Sequence, residues 1–266
     1  MSPLSTKSKD GVKISYTKEG RKGPNLILIH GWCCDSKYWR KTTPSLSTEY
    51  QVYLIDLAGH GKSGTNRTNW TIPNYGEDVK ALADQEKLSE ATLVGHSMGG
   101  DVALAAAQLL GGRIRGVVLV DTYHSLTVSS EEQISKIMAP MKENFVEGAK
   151  KFVYGMFPVG ADPGLAESIA EDMSSQEKSI AIPSAEATLR YDEGAAFTRL
   201  SVPVRCINCD MESSDYESAR KSLRDFDATT MTNVGHFIML EKPDEFNRVL
   251  RDTLAGLKLT SVHAYT

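Results

Sequence analysis

Short apolar runs recur along the chain and alternate with longer segments in which apolar residues return every three or four positions. The first run, at 12–17, alternates apolar and polar residues and predicts an edge strand. Four later runs are almost continuously apolar, which is typical of parallel strands buried on both faces. They lie at 25–30, 51–56, 91–95 and 116–121, and two further strands are predicted at 203–209 and 228–231.

Helical periodicity at 74–88, 98–110 and 243–257 separates or follows these strands. This order predicts the α/β class, with a mainly parallel, doubly wound sheet covered by helices on both faces. The alternation stops between 123 and 197, where helical patterns occur at 131–154 and 163–173 without a convincing strand. We interpret 123–197 as a helical cap, or lid, inserted into a core made of 1–122 and 198–266.

Composition and charge narrow the class of protein. The chain has 266 residues, of which 41% are hydrophobic and 24% charged, as in ordinary globular proteins. Its net charge is -4 without a run of five like charges, which argues against a nucleic-acid surface. No apolar stretch approaches the roughly 18 residues of a membrane span, and the N-terminus lacks the apolar core of a secretory signal. We therefore expect a cytoplasmic protein that does not associate with membranes.

Two of the four cysteines, Cys206 and Cys209, form a C-x-x-C pattern. The pair lies inside an apolar run rather than at a strand-to-helix turn, and no second Cys or His pair stands nearby. We therefore interpret them as buried thiols rather than as a redox or zinc site. The sequence also contains no P-loop and no dinucleotide fingerprint, so we expect no cofactor.

A G-x-S-x-G motif, Gly95–Gly99, stands between a predicted strand and a predicted helix. On such a turn the serine hydroxyl is exposed above the sheet, and its neighbours must be small. Ser97 is therefore the candidate nucleophile. A serine hydroxyl needs a base within hydrogen-bond reach, and this base is nearly always histidine.

Of the six histidines, His236 best fits the base. It follows a late strand and precedes a helix, which puts it on a loop at the carboxyl edge of the sheet, where Ser97 also lies. The other five are His30, His60, His96, His124 and His263.

Four motifs together resemble the α/β-hydrolase fold superfamily, in its serine-hydrolase branch with a helical lid. They occur in that family's order as HGW at 30–32, DLAGHGKS at 56–63, GHSMG at 95–99 and GHFIMLEKP at 235–243. The resemblance implies that Ser97 is the nucleophile and His236 the general base. It also implies that the backbone N–H groups of Trp32 and Met98 form the oxyanion hole.

The resemblance leaves three candidates for the acid that orients His236. In the commonest family arrangement the acid follows the strand at 204–208, which puts Asp210 at the first acidic position and Glu212 at the final one. Cys209 stands where relatives have glycine. Other members take the acid from the end of the preceding strand, here Asp121. The pattern alone favours Glu212.

A serine nucleophile excludes haloalkane dehalogenases and epoxide hydrolases, which need a carboxylate there. The first hypothesis is hydrolysis of a small carboxylic ester or lactone through an acyl-enzyme intermediate. Alternatives are hydrolysis of a carbon–carbon bond in ring-cleavage products, and a cofactor-free dioxygenase or lyase. Aromatic and Met residues of the cap favour an apolar or aromatic small-molecule substrate. The sequence does not indicate an oligomeric state.

Overall fold

The computed structural model describes residues 3–20 and 23–260, and these contain a single eight-stranded sheet. The strand order is β1-β2-β4-β3-β5-β6-β7-β8. β1 and β2 run antiparallel to their neighbours, and all the other pairs are parallel. The strands are β1 (Leu4–Lys7), β2 (Lys13–Glu19), β3 (Asn25–Ile29), β4 (Gln51–Asp56), β5 (Ala91–His96), β6 (Ile114–Val120), β7 (Val204–Cys209) and β8 (Phe226–Met231).

Eleven α-helices occur in the same described residues, and two short 3₁₀ turns accompany them. α2 and α3 pack against each other, and α3 lies along β5 and β6. The helices are α1 (Thr43–Leu46), α2 (Ile72–Gln85), α3 (Met98–Leu110), α4 (Glu131–Glu143), α5 (Phe145–Tyr154), α6 (Pro163–Ser174), α7 (Lys178–Leu189), α8 (Glu193–Phe197), α9 (Tyr216–Ser222), α10 (Ile238–Glu241) and α11 (Pro243–Thr260). The prediction of a mainly parallel α/β fold is confirmed.

Register brings the ends of the parallel strands to one edge of the sheet. Ile29 at the end of β3 pairs with Gly95 of β5, and Val120 at the end of β6 pairs with Ile207 of β7. The loops that follow these strands therefore meet at the carboxyl edge, where open parallel sheets bind their ligands.

Helices α4 to α8 all lie between β6 and β7. Side chains from four of them line a cavity together with the segments at the carboxyl edge of the sheet. Four helices of this segment therefore reach that edge, and the division of the chain into a core and a cap at 123–197 stays a prediction.

Several elements differ from the predicted ones. β2 is not an edge strand, because β1 pairs along its outer side. The pattern at 131–154 is two helices, since Asn144 ends α4 and its side chain caps α5 by accepting from the Glu147 N–H. The sequence analysis did not predict α7. Its buried residues are Ile180, Ala181 and Ser184 and it contains Pro183, so its apolar positions form no clear stripe along one face.

No helix among the residues described combines the length and the apolar character that crossing a bilayer requires.

Candidate active site

Ser97 occupies the sharp turn between β5 and α3, with φ 53° and ψ -128°. This backbone conformation is strained for a residue with a side chain, and it persists because close packing enforces it. A Cβ on Gly95 would lie 2.0 Å from the Gly99 carbonyl oxygen, and a Cβ on Gly99 would lie 2.5 Å from the His30 carbonyl oxygen. Small neighbours are therefore a steric requirement of this turn, as the sequence indicated.

His236 lies on the loop between β8 and α10, and its side chain meets Asp121. Nδ1 of His236 lies 2.6 Å from Oδ2 of Asp121, which directly follows β6. The other carboxylate oxygen of Asp121 accepts a 2.7 Å hydrogen bond from the Cys209 N–H. Asp121 is thus held on both oxygens, and Ser97, His236 and Asp121 line the same cavity.

The environment of Asp121 keeps its carboxylate charged. Burial by itself would raise the pKa of Asp121, but the hydrogen bond and charge of His236 and the Cys209 N–H outweigh burial and lower the pKa to about 2. An ionised Asp121 accepts a hydrogen bond, so Nδ1 of His236 carries the proton. The unprotonated Nε2 is then the nitrogen that can accept a proton from elsewhere.

The structure corrects the preference for Glu212 as the residue that orients His236. Glu212 is exposed at the cavity wall, and Asp210 uses both carboxylate oxygens to accept from the Asn233 N–H. The reason lies in the turn after β7, where the Cys209 N–H points to Asp121. Of the three acidic candidates, Asp121 is the one that contacts the His236 ring.

The loop after β3 lies directly against the serine turn. A Cβ on Gly31 would lie 3.2 Å from the Cβ of Ser97, and the Gly31 carbonyl accepts from the Cys34 N–H. Trp32 follows Gly31 in this tight turn and lines the same cavity as Ser97. Met98 is the first residue of α3, so its N–H has no acceptor within the helix. The two backbone N–H groups that the resemblance indicated therefore belong to segments that adjoin Ser97.

Two residues that the sequence analysis did not single out fix the backbone around His236. Glu241 accepts hydrogen bonds from the Gly235 and Phe237 N–H groups, at 2.9 and 3.0 Å. His96 donates from Nε2 to the His236 carbonyl at 3.0 Å, and burial lowers the pKa of His96 to about 3. The signal in the sequence was their place inside two of the four motifs, His96 within GHSMG at 95–99 and Glu241 within GHFIMLEKP at 235–243.

The cavity has a volume of about 780 Å³ and is lined mostly by apolar side chains. Six methionines contribute, and methionine is flexible enough to fit ligands of different shape. They are Met98, Met138, Met141, Met156, Met173 and Met211.

The C-x-x-C pair is two free, buried thiols on β7, as expected. Within the described ranges, no three His, Cys, Asp or Glu side chains are grouped so that they could hold a metal ion. His263 lies outside the described residues.

Comparisons with known proteins identify the family to which the fold belongs. The family model for the alpha/beta hydrolase fold matches residues 24–228. A dihydrolipoyllysine-residue acetyltransferase component of an acetoin cleaving system from Pseudomonas putida is 30% identical over 155 residues, which are 58% of this chain and 40% of that protein. The chain therefore spans less than half the length of this relative.

A second relative is matched over nearly its whole length. It is a pimeloyl-[acyl-carrier protein] methyl ester esterase from Nitrosospira multiformis, 22% identical over 87% of this chain and 94% of that protein. A solved structure of a thermophilic esterase from Thermogutta terrifontis superposes with a TM-score of 0.85 at 21% identity, covering 97% of this chain and 99% of that one. The chain belongs to the α/β hydrolase fold family.

Proposed function

We propose that this chain is a serine hydrolase that cleaves small carboxylic esters or lactones through an acyl-enzyme intermediate. The observation that carries the proposal is the 2.6 Å hydrogen bond between His236 and Asp121 at the wall of the cavity that Ser97 also lines. A nucleophile, a base and a fixed carboxylate on one cavity are what acyl transfer by serine requires.

In the proposed reaction, Nε2 of His236 takes the proton from Oγ of Ser97 as the oxygen attacks the substrate carbonyl. The Asp121 carboxylate stabilises the imidazolium that results. The N–H groups of Trp32 and Met98 donate to the oxyanion, and each such donor is typically worth about 100- to 1,000-fold in turnover. His236 then protonates the departing alcohol, and water that it activates releases the acid from Ser97.

The cavity supports an apolar or aromatic small molecule as the substrate. Trp32 and Phe152 meet edge to face with ring centroids 5.9 Å apart, and six methionines line the same space. The relatives named as esterases favour ester cleavage over the other reactions of this fold.

The test is hydrolysis of p-nitrophenyl esters of graded acyl size and of simple lactones by wild type and by Ser97→Ala. A fluorophosphonate probe, read by intact mass, reports the nucleophile independently of substrate choice. We expect turnover and a single adduct at Ser97 in wild type, and neither in the variant. A folded wild type that is inert to the probe and to every substrate would contradict the proposal and favour carbon–carbon cleavage, lyase or oxygenase chemistry.

A further inference from the structure

The segment that carries Asp121 also holds the backbone of Ser97. His96 of β5 pairs with Val120 of β6, and one residue further along the chain the Ser97 N–H donates to the Val120 carbonyl at 3.0 Å. The chain then turns at Asp121, whose φ is 46°, and the hydroxyl of Thr122 donates to the Ser97 carbonyl at 3.1 Å. The N–H and the carbonyl of Ser97 are therefore both bonded to the segment that contains the acid.

Close packing places the Thr122 hydroxyl at this carbonyl. A Cβ on Gly100 would lie 2.2 Å from Oγ1 of Thr122 and 2.6 Å from its Cγ2, so a larger residue at 100 would displace the side chain. Gly100 lies outside the G-x-S-x-G motif, and this contact explains its small size. Oγ1 is also 3.2 Å from the Val120 carbonyl, which already accepts from the Ser97 N–H. Of the two acceptors that the hydroxyl faces, the Ser97 carbonyl is the nearer.

The Ser97 carbonyl and the Met98 N–H belong to one peptide group. This group is planar and trans, so its C=O and N–H point in opposite directions and rotate together. A donor that fixes the carbonyl therefore fixes the direction of the Met98 N–H, one of the two proposed oxyanion donors. The Gly100 N–H also donates to this carbonyl, at 2.7 Å, but it belongs to the same turn, whereas Thr122 ties the peptide to the segment after β6.

The strained backbone of Ser97 makes such a tie important. A residue with φ 53° and ψ -128° keeps this conformation only where its surroundings enforce it. Loss of one of the contacts lets the peptide that follows Ser97 rotate toward a less strained geometry, and the Met98 N–H rotates with it.

We propose that Thr122 is a positioning residue that aims the Met98 N–H at the oxyanion. One short segment then sets both the acid, Asp121, and an oxyanion donor. The inference rests on the proposed function, because an oxyanion forms only if Ser97 attacks a carbonyl. Thr122 is half-buried and lines the cavity, so direct contact with substrate is the competing role, and it predicts a change in KM instead of kcat.

Thr122→Val removes the hydroxyl and retains the branched shape that packs against Gly100. We expect kcat on the best ester to fall about tenfold, with KM within about twofold of wild type. This loss is smaller than the roughly 100- to 1,000-fold typical of a deleted oxyanion donor, because the Met98 N–H is misdirected and not removed. Thr122→Ser retains the hydroxyl and restores most of kcat. Thr122→Ala replaces the valine variant if that variant does not fold.

Thr253→Val is the matched control. Oγ1 of Thr253 donates to the Val249 carbonyl on α11 at 2.8 Å, so the same chemical change removes a hydroxyl-to-carbonyl bond outside the candidate site. Its kcat and KM should stay at the wild-type values.

The amide signal of Met98 in NMR spectra reports on the peptide without any turnover. Selective ¹⁵N labelling of the nine methionines keeps the spectrum simple, and Met98→Leu identifies the Met98 signal by its loss. We expect Thr122→Val to move this signal, and Thr122→Ser and Thr253→Val to leave it close to its wild-type position.

Three results would overturn the inference. The first is a wild-type kcat in Thr122→Val, and the second is a lower kcat with an unmoved Met98 signal. The third is a raised KM at unchanged kcat, which assigns Thr122 to substrate contact.

The two proposals fail separately. A wild type that ignores the fluorophosphonate and every ester sinks the proposed function. The Met98 signal still tests the tie in that protein, because a signal moved by Thr122→Val supports it and an unmoved signal overturns it. Ester turnover that does not depend on the Thr122 hydroxyl sinks this inference alone.

Discussion

At the scale of single residues, two buried aspartates behave in opposite ways because their neighbours differ. Asp121 faces the His236 imidazole and the Cys209 N–H, which favour its charged form. Asp101 is buried near another acid, Glu193, and burial favours its uncharged form. The first is suited to stabilise a cation that forms next to it, and the second to remain neutral.

Replacing the Asp121 carboxylate by an amide tests which acid orients His236. We expect Asp121→Asn to lower kcat on the best ester by about 10³- to 10⁴-fold, because the amide no longer holds the proton on Nδ1. Glu212→Gln and Asp210→Asn serve as matched controls and retain most of the activity. Steady-state kinetics of the three variants provide the measurement, and a larger loss in Glu212→Gln than in Asp121→Asn contradicts the assignment.

Burial raises the pKa of Asp101 to about 8, which predicts that the stability of the fold depends on pH. Between about pH 4 and 8 the folded carboxyl holds a proton that the unfolded carboxyl has lost, so the stability due to this group falls as the pH rises through that window. Asp101→Asn weakens this dependence because the amide does not titrate. The melting temperature of the variant minus that of wild type should therefore increase by about 5 °C between pH 5 and pH 8. This size follows from roughly 1.4 kcal/mol per pKa unit, taken as an upper limit. Thermal unfolding at several pH values measures the gain. Asp227→Asn, an exposed change on β8, is the control, and its difference from wild type in melting temperature should not vary with pH. The same constant difference for Asp101→Asn would contradict a raised pKa of Asp101.

At the scale of elements, the loop between β8 and α10 positions His236 through its backbone. Glu241 accepts from the N–H groups of Gly235 and Phe237, and His96 donates to the carbonyl of His236. The Met156 carbonyl, which follows α5, accepts from the His236 N–H at 2.9 Å. The ring of Phe237 also stacks on Phe157, with centroids 5.5 Å apart. The imidazole is therefore oriented at both ends, by Asp121 and by its own loop.

Glu241→Gln should weaken this loop, because an amide can accept from one of the two backbone N–H groups but presents a donor to the other. We expect kcat to fall by about 10- to 100-fold with little change in KM, since the substrate cavity is untouched while the base moves. Glu245→Gln, a surface change on α11, is the control and stays near wild type. An increase in KM with unchanged kcat would speak against a positioning role.

At the scale of the whole molecule, the helical segment 123–197 contacts both halves of the candidate site in addition to lining its cavity. Nε1 of Trp32 donates to the Ala181 carbonyl of α7 at 2.7 Å, and the Trp32 ring meets Phe145 and Phe152 of α5 edge to face. The segment that follows α5 holds the His236 loop. These contacts therefore link the helical segment 123–197 to the proposed oxyanion loop and to the loop of the proposed base.

Trp32→Phe tests this coupling, because it retains an aromatic ring and loses the hydrogen bond to α7. We expect a loss of about 0.5–1.5 kcal/mol in stability and a lower kcat, since the oxyanion loop is less firmly held. Trp39→Phe is a matched control, because Nε1 of Trp39 is buried without a hydrogen-bond partner among the described residues. Chemical unfolding and ester kinetics of both variants give the readout. A Trp32→Phe variant with wild-type kcat would show that the cap contact has no influence on the loop.

The sequence by itself determined the fold class, and it predicted an inserted helical cap and Ser97 and His236 as the candidate pair. Apolar periodicity and the small residues of a tight turn are local properties, so they can be recognised without knowing what packs against them. Only the tertiary structure decided that Asp121 faces His236. The three candidate carboxylates follow the neighbouring strands β6 and β7, and their distances from the His236 imidazole depend on the turn after β7. The contacts of Glu241 and His96 and the burial of Asp101 could not be predicted for the same reason. Each depends on a partner elsewhere in the fold, or on the backbone of a loop, that local pattern does not encode.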